Sequence, residues 1–218
     1  MIFDSDFSRL CEKNVFPNGI PLQKLLCNVG NHKIPSSTAI FNMGSATDCP
    51  SLSLGLCKVQ TDNNRCCYAL KAEVLYPNVL PYRRRQELYW NETSAEQFAF
   101  QFLLINSKKR NPFNALRLNE SGDFHSQQCV EKAESIARIL SRYGVTTYCY
   151  TSRSDLDFKR VKSLIVNGSG FKGRGISNVF KMITEKKKKP KGYAMCAMNC
   201  RICARCMQRG MNTCVIKH

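Results

Sequence analysis

The chain has no run of about 18 consecutive apolar residues, so a membrane-spanning helix is not expected. Its first six residues, Met1-Ile2-Phe3-Asp4-Ser5-Asp6, carry neither the basic patch nor the apolar stretch of a secretory signal, which makes a cytoplasmic location the expectation. Acidic side chains are scarce: 16 Asp and Glu face 33 Lys and Arg, for a net charge of +17. A field of that sign favours polyanions such as nucleic acid, and the plainer alternative is a soluble surface that happens to be basic. No internal repeat is evident. The 218 residues, 43% of them hydrophobic, suffice for one compact domain, or for one domain with a small appendage.

Cysteine is abundant, with 13 residues. A secreted miniprotein would use them as disulfides, but this chain is long enough to fold without staples, and the odd number argues against complete pairing. They fall into two groups, Cys49, Cys57, Cys66 and Cys67 in the first and Cys196, Cys200, Cys203 and Cys206 in the second. Clustered thiols in a reducing compartment read as metal ligands. The scattered Cys11, Cys27, Cys129, Cys149 and Cys214 read as small buried hydrophobes.

Along the chain, a lead-in with Pro17, Gly19, Pro21, Gly30 and Pro35 precedes a first strand over 37–43, and a long cysteine-bearing loop follows it. A short helix is expected over 69–75, with Pro77 and Pro81 as breaks, then a helix over 82–90. Ser94 with Gln97 forms a capping-box pattern before a largely buried helix. A strand over 114–119 leads into the polar loop Glu120-Ser121-Gly122-Asp123-Phe124-His125, and an amphipathic helix over 128–143 follows. The next strand covers 145–150, a short helix about 156–162, and another strand 163–167. Strand, polar loop and helix thus repeat at least three times, the rhythm of βα units around a parallel sheet or barrel. The chain is short for eight such units, so the expected fold is α/β, a partial or reduced TIM-like (βα) barrel with a cysteine-rich C-terminal segment. Residues 1–185 form the barrel body. Residues 186–218 are a basic linker and a metal-binding tail packed on the barrel.

The tail places four thiols within eleven residues, at gaps of three, two and two. A cubane [4Fe–4S] cluster needs several thiolates converging on a small body, and short gaps let one loop supply them. Structural zinc more often takes two cysteine pairs a dozen or more residues apart, so iron–sulfur is favoured and zinc is the alternative metal. The first group is looser, with gaps of seven and then eight or nine. Either Cys66 or Cys67 is the ligand, or both are, and the two groups build one centre or two.

Asp48-Cys49-Pro50, Cys57, Cys67-Tyr68-Ala69, Arg117-Leu118-Asn119-Glu120-Ser121-Gly122-Asp123-Phe124 and Tyr150-Thr151-Ser152-Arg153 together resemble the phage gene product 88 family. More distantly the pattern is similar to radical S-adenosylmethionine (SAM) enzymes, whose compact thiol spacing occurs here at Cys196, Cys200 and Cys203 rather than after the first strand. The resemblance implies a cluster at the mouth of a partial barrel, with S-adenosylmethionine as a further cofactor if one iron stays open. It implies Arg117, Ser121, Gly122 and Arg153 as cofactor-binding candidates, and a host-cell cytoplasmic setting.

Glu120, Asp123 and His125 are candidate acid/base groups at a strand end, with helix capping the plainer role for Asp123. Arg117, if it points inward, needs a partner such as Glu120 or a bound anion. Arg153 and Asp155 have the spacing to pair with each other. Arg83, Arg84 and Arg85, interleaved with Tyr82, Tyr89 and Trp90, and Lys187 with Lys188, are candidate nucleic-acid contacts. Three functions remain open: an iron–sulfur protein acting on or near nucleic acid, a radical SAM-like enzyme, and a zinc-stabilised nucleic-acid-binding module.

Overall fold

Seven short segments rich in β-branched and aromatic residues pair in parallel into one sheet. The computed structural model describes residues 19–27, 33–57 and 67–216. Its strands are β1 (Thr38–Phe41), β2 (Ala115–Leu118), β3 (Thr146–Thr151), β4 (Ile165–Ser169), β5 (Asn178–Ile183), β6 (Ala194–Met195) and β7 (Thr213–Ile216), in the spatial order β1-β2-β3-β4-β5-β7-β6. The helices are α1 (Leu22–Leu25), α2 (Pro50–Ser53), α3 (Tyr68–Leu75), α4 (Val79–Glu92), α5 (Ala95–Ser107) and α6 (Gln127–Ser141). The molecule is therefore a mixed α/β protein built on a parallel sheet. Among the described residues no helix is long and apolar enough to cross a membrane.

Successive strand side chains point to opposite faces. Ala39, Phe41, Leu116, Leu118, Cys149 and Val166 join the main core with Trp90, Phe98, Phe102 and the buried stripe of α6. Ala115, Tyr148 and Ile165 form a smaller cluster with Tyr150 and Met207 on the other face. Met207, from the β6–β7 connection, supplies part of the cover there.

The expected strands over 37–43, 114–119, 145–150 and 163–167 each appear within two residues. The capping box is formed: Ser94 Oγ accepts from the Gln97 amide at 3.1 Å, and Gln97 Oε1 accepts from the Ser94 amide at 2.8 Å. Pro81, read as a break, is the third residue of α4, where a missing amide hydrogen leaves no helical bond unmade. The short helix expected near 156–162 is a loop. Side chains of α6 hold its backbone instead: Gln127 exchanges two bonds with Asp157, both at 2.9 Å, and the Glu134 carboxylate accepts from the amides of Lys162, Ser163 and Leu164. β5, β6 and β7 were not expected. They set the whole cysteine run Cys196–Cys206 between two strands of the sheet.

Candidate functional site

The tail thiols lie in the β6–β7 connection, which crosses the sheet face that carries Ala115, Tyr148 and Ile165. Its 3₁₀ turn, Arg205–Met207, packs on β3 and β4. Two strand asparagines pin it from below. Asn167 Nδ2 donates to the carbonyls of Cys149 and Cys206, each at 3.0 Å. Asn178 Nδ2 donates to Asn167 Oδ1 at 3.0 Å and to the Gln208 carbonyl at 2.8 Å, and Asn178 Oδ1 accepts from the Met211 amide at 2.8 Å. Further along, the Cys200 amide donates to the Lys33 carbonyl at 2.8 Å. The four thiols share one electrostatic neighbourhood: Cys200 feels Cys196 and Cys203, and Cys206 feels Cys196 and Cys200. Burial pushes the Cys200 and Cys206 thiols up; Arg117 pulls Cys200 back, and the Tyr150 hydroxyl does the same for Cys206. As they stand, no three His, Cys, Asp or Glu side chains among the described residues are grouped to hold a metal ion.

Arg117 projects from β2 onto the same face. Its guanidinium carbon lies 5.1 Å from the centre of the Tyr150 ring, and Nη2 is 3.5 Å from the Tyr68 hydroxyl. Among the described residues its Nε is covered from solvent and has no hydrogen-bond partner. None of the ion pairs among the described residues includes Arg117. Burial disfavours the charge, but Tyr68, Tyr148, Tyr150 and Glu120 outweigh it and hold the pKa above its ordinary value. The side chain is thus a permanent cation under the thiol connection.

The first cysteine group follows β1. Cys66 lies outside the described residues. Cys49 is the N-cap residue of α2, and its thiol is pushed up to about 12, first by burial and then by the charge of Asp123, with Cys57 adding a little. Cys67 is the N-cap residue of α3, beside Tyr68. Asp123 is a buried hub: it accepts from Ser51 Oγ at 2.6 Å and from the amides of Ser152 and Phe124, each at 2.8 Å. Those bonds tie α2, the β2 loop and the end of β3 together, and burial raises its pKa despite them. Asp123 is not the cap of the following helix, whose N-cap residue is Ser126.

The acid/base candidates face different partners. His125 Nε2 is 3.6 Å from Glu87 Oε1, and the Glu120 carbonyl accepts from the Tyr68 hydroxyl at 2.6 Å. Ser121 donates its amide to Asn42 Oδ1 at 2.8 Å. Gly122, at φ +70°, passes so close to the β1 loop that a Cβ would sit 2.7 Å from the Gly44 carbonyl oxygen, so no other residue fits. Arg153 and Asp155 form the expected pair, two-pronged, with both bonds at 2.8 Å. Arg153 Nη1 also donates to the Phe124 carbonyl, fixing the β2 loop to β3.

A family model described as gene product 88 matches residues 17–172. The chain belongs to the gene product 88 family. The gene product 88 match covers β1 to β4 with the first cysteine group, Arg117, Asp123 and Arg153, and it stops short of the tail thiols. No curated protein and no solved structure matches the chain.

In this gene product 88 family member the basic candidates separate. Arg83 is buried and engaged, donating to Glu73 Oε1 at 2.7 Å and to the Ala69 carbonyl at 2.9 Å. Arg84 is exposed but lies 2.5 Å from Asp48 Oδ2, and Arg85 is exposed. Lys187 and Lys188 both reach Glu185, at 3.0 and 3.4 Å. The residues that sequence reasoning missed are the buried polar ones, Asn42, Glu73, Gln86 and Asn178. For Asn178 a signal exists: asparagine is unfavourable inside strands, and Asn167 and Asn178 both occupy strand positions facing the thiol connection.

Proposed function

We propose that this gene product 88 family member is a phage or mobile-element iron–sulfur protein of the host cytoplasm that acts on or near nucleic acid. Its parallel sheet is read as part of a reduced βα barrel, and Cys196, Cys200, Cys203 and Cys206 hold a [4Fe–4S]-type centre on the sheet face that carries Tyr148 and Tyr150. The observation that carries this is Arg117. A buried guanidinium whose Nε finds no acceptor among the described residues is costly unless an anion sits beside it, and Glu120 supplies only part of that charge. A tetrathiolate cluster would be that anion, and Arg117 already acts on the Cys200 thiol.

The residues fit such a group in chemistry. One connection offers four soft sulfur ligands at short gaps, with a fixed cation and the Tyr150 hydroxyl near the sulfurs. When bound, the cluster supplies one-electron transfer. The protein's own part is to hold the connection through Asn167 and Asn178, to shield it with Tyr148, Tyr150 and Met207, and to balance its charge through Arg117. Loading would draw the thiols together and order the connection, since metal binding and local folding are linked.

Anaerobically prepared protein should be brown, with broad absorbance near ~400 nm and about four iron and four sulfide per chain for one cluster. Colourless protein holding zinc alone would select the zinc-stabilised module instead. Cys49, Cys57 and Cys67 are the set on which the radical SAM alternative rests, and reductant-dependent SAM cleavage is the result that would select it. Arg117→Met should lower the cluster's reduction potential or its retention of iron, because the compensating charge is gone.

A further inference from the structure

We propose that the gap between the β3–β4 loop and the β4–β5 loop is a binding pocket for one nucleotide unit of single-stranded nucleic acid. It rests on observations separate from those for the metal centre. The cavity is about 370 Å³, inside the ~300–1,000 Å³ range of small-ligand sites. It opens at the C-terminal ends of β3 and β4, where parallel sheets gather their functional groups.

Its wall is apolar and its rim is cationic. Leu156, Phe171 and Ile176 line it, half-buried against the main core. Lys159, Lys172 and Arg174 stand exposed around it. Two carboxylates also line it: Asp155 pairs with Arg153 at 2.8 Å, and Asp157 lies 3.8 Å from Lys159. Lys172 and Arg174 enter none of the ion pairs among the described residues. An aromatic wall beside unpaired cations is what a base and its phosphate require.

The pocket is preformed. Gly175, at φ +81°, lies so close to the β3–β4 loop that a Cβ would fall 1.6 Å from the Phe158 carbonyl oxygen, so the two loops meet backbone to backbone. Gln127 and Glu134 fix one loop from α6, as described above. Arg209 adds bonds to the Lys162 and Leu164 carbonyls, the latter at 2.9 Å. A rigid site loses little freedom on binding. Of the expected nucleic-acid contacts, Arg83 is buried against Glu73, Arg84 lies beside Asp48, Lys187 and Lys188 lie beside Glu185, and Arg85 is exposed; none of them lines this pocket.

The test is fluorescence anisotropy of the full chain with a single-stranded oligonucleotide of about 12 nucleotides, across a salt series. Lys172→Glu with Arg174→Glu should weaken binding at least about tenfold and make the salt slope shallower by about 1 to 2. Lys187→Glu with Lys188→Glu makes the same change in net charge and should alter affinity less than about twofold. Phe171→Leu keeps the wall apolar but removes the aromatic face, and should cost about tenfold in affinity while the variant still unfolds in a cooperative thermal transition. Absence of oligonucleotide binding, equal losses in the two charge-reversed pairs, or wild-type affinity in Phe171→Leu would each overturn the proposal. Displacement of the oligonucleotide by equimolar free nucleoside monophosphate would also overturn it, because the occupant is then a free nucleotide. Iron analysis of the same samples reports on the metal reading independently.

Discussion

Glu73 and Arg83 form an ion pair at 2.7 Å whose two side chains are 2% and 8% exposed. Glu73 also accepts from the amides of Ala46 and Thr47, at 2.7 and 2.9 Å, so this one carboxylate anchors the cysteine loop after β1 to α3 and α4. Replacing it by Gln leaves Arg83 buried without its counter-charge, and should cost about 3–5 kcal/mol by urea denaturation. Burial alone would raise the Glu73 pKa, but the Ala46 amide, Arg83 and Thr47 together hold it below its ordinary value. Its contribution is therefore complete above about pH 4.5 and is lost as pH falls through the lower folded value. Between those values the wild type should lose stability more steeply than Glu73→Gln. The sequence showed Arg83, Arg84 and Arg85 as one basic run. A helix separates them by about 100° each. Arg83 shares its side with Gln86 and Trp90, three and seven residues on, and all three are buried. That turn of the helix was readable, but the partner was not, because Glu73 comes from another helix and only folding brings it near.

The elements with strong periodicity were readable from residues alone. In α6 the apolar set Val130, Ala133, Ile136, Ala137 and Leu140 is buried as its 3.6-residue spacing requires, and the Ser94–Gln97 box caps α5 as its letters indicate. Ser94→Ala should cost about 1 kcal/mol in thermal or denaturant unfolding. The strands after β4 were not readable. Asn178–Ile183 carries an asparagine and a lysine inside it, and β6 has only two residues, so pairing with neighbours rather than local propensity makes them strands. The consequence falls on the cysteine connection, whose anchor points are Asn167 and Asn178. Asn178→Ala removes the bond to the Gln208 carbonyl and leaves the Met211 amide without its acceptor. Amide hydrogen exchange over residues 196–212 should accelerate in that variant while α6 keeps its protection. Unchanged exchange there would show that the asparagines do not hold the connection.

At the scale of the whole molecule, charge, a parallel sheet and two cysteine groups were visible at once, and the family match secures the β1–β4 region. Sequence spacing could not say which face of the sheet receives the tail thiols. The structure sets them beside Arg117, Tyr148 and Tyr150, whereas Cys49 lies near Asp123 and Cys57. If the tail alone holds the cluster, the two sets of thiols must differ in what their loss does. The measurement is iron, sulfide and absorbance near ~400 nm in anaerobic wild type, in a chain with Cys196, Cys200, Cys203 and Cys206 changed to Ser, and in a chain with Cys49, Cys57 and Cys67 changed to Ser. The account predicts about four iron per chain in the wild type and in the Cys49/Cys57/Cys67 variant, and none in the tail variant. A wild type free of iron, or a tail variant that keeps its full complement of iron and colour, would contradict it.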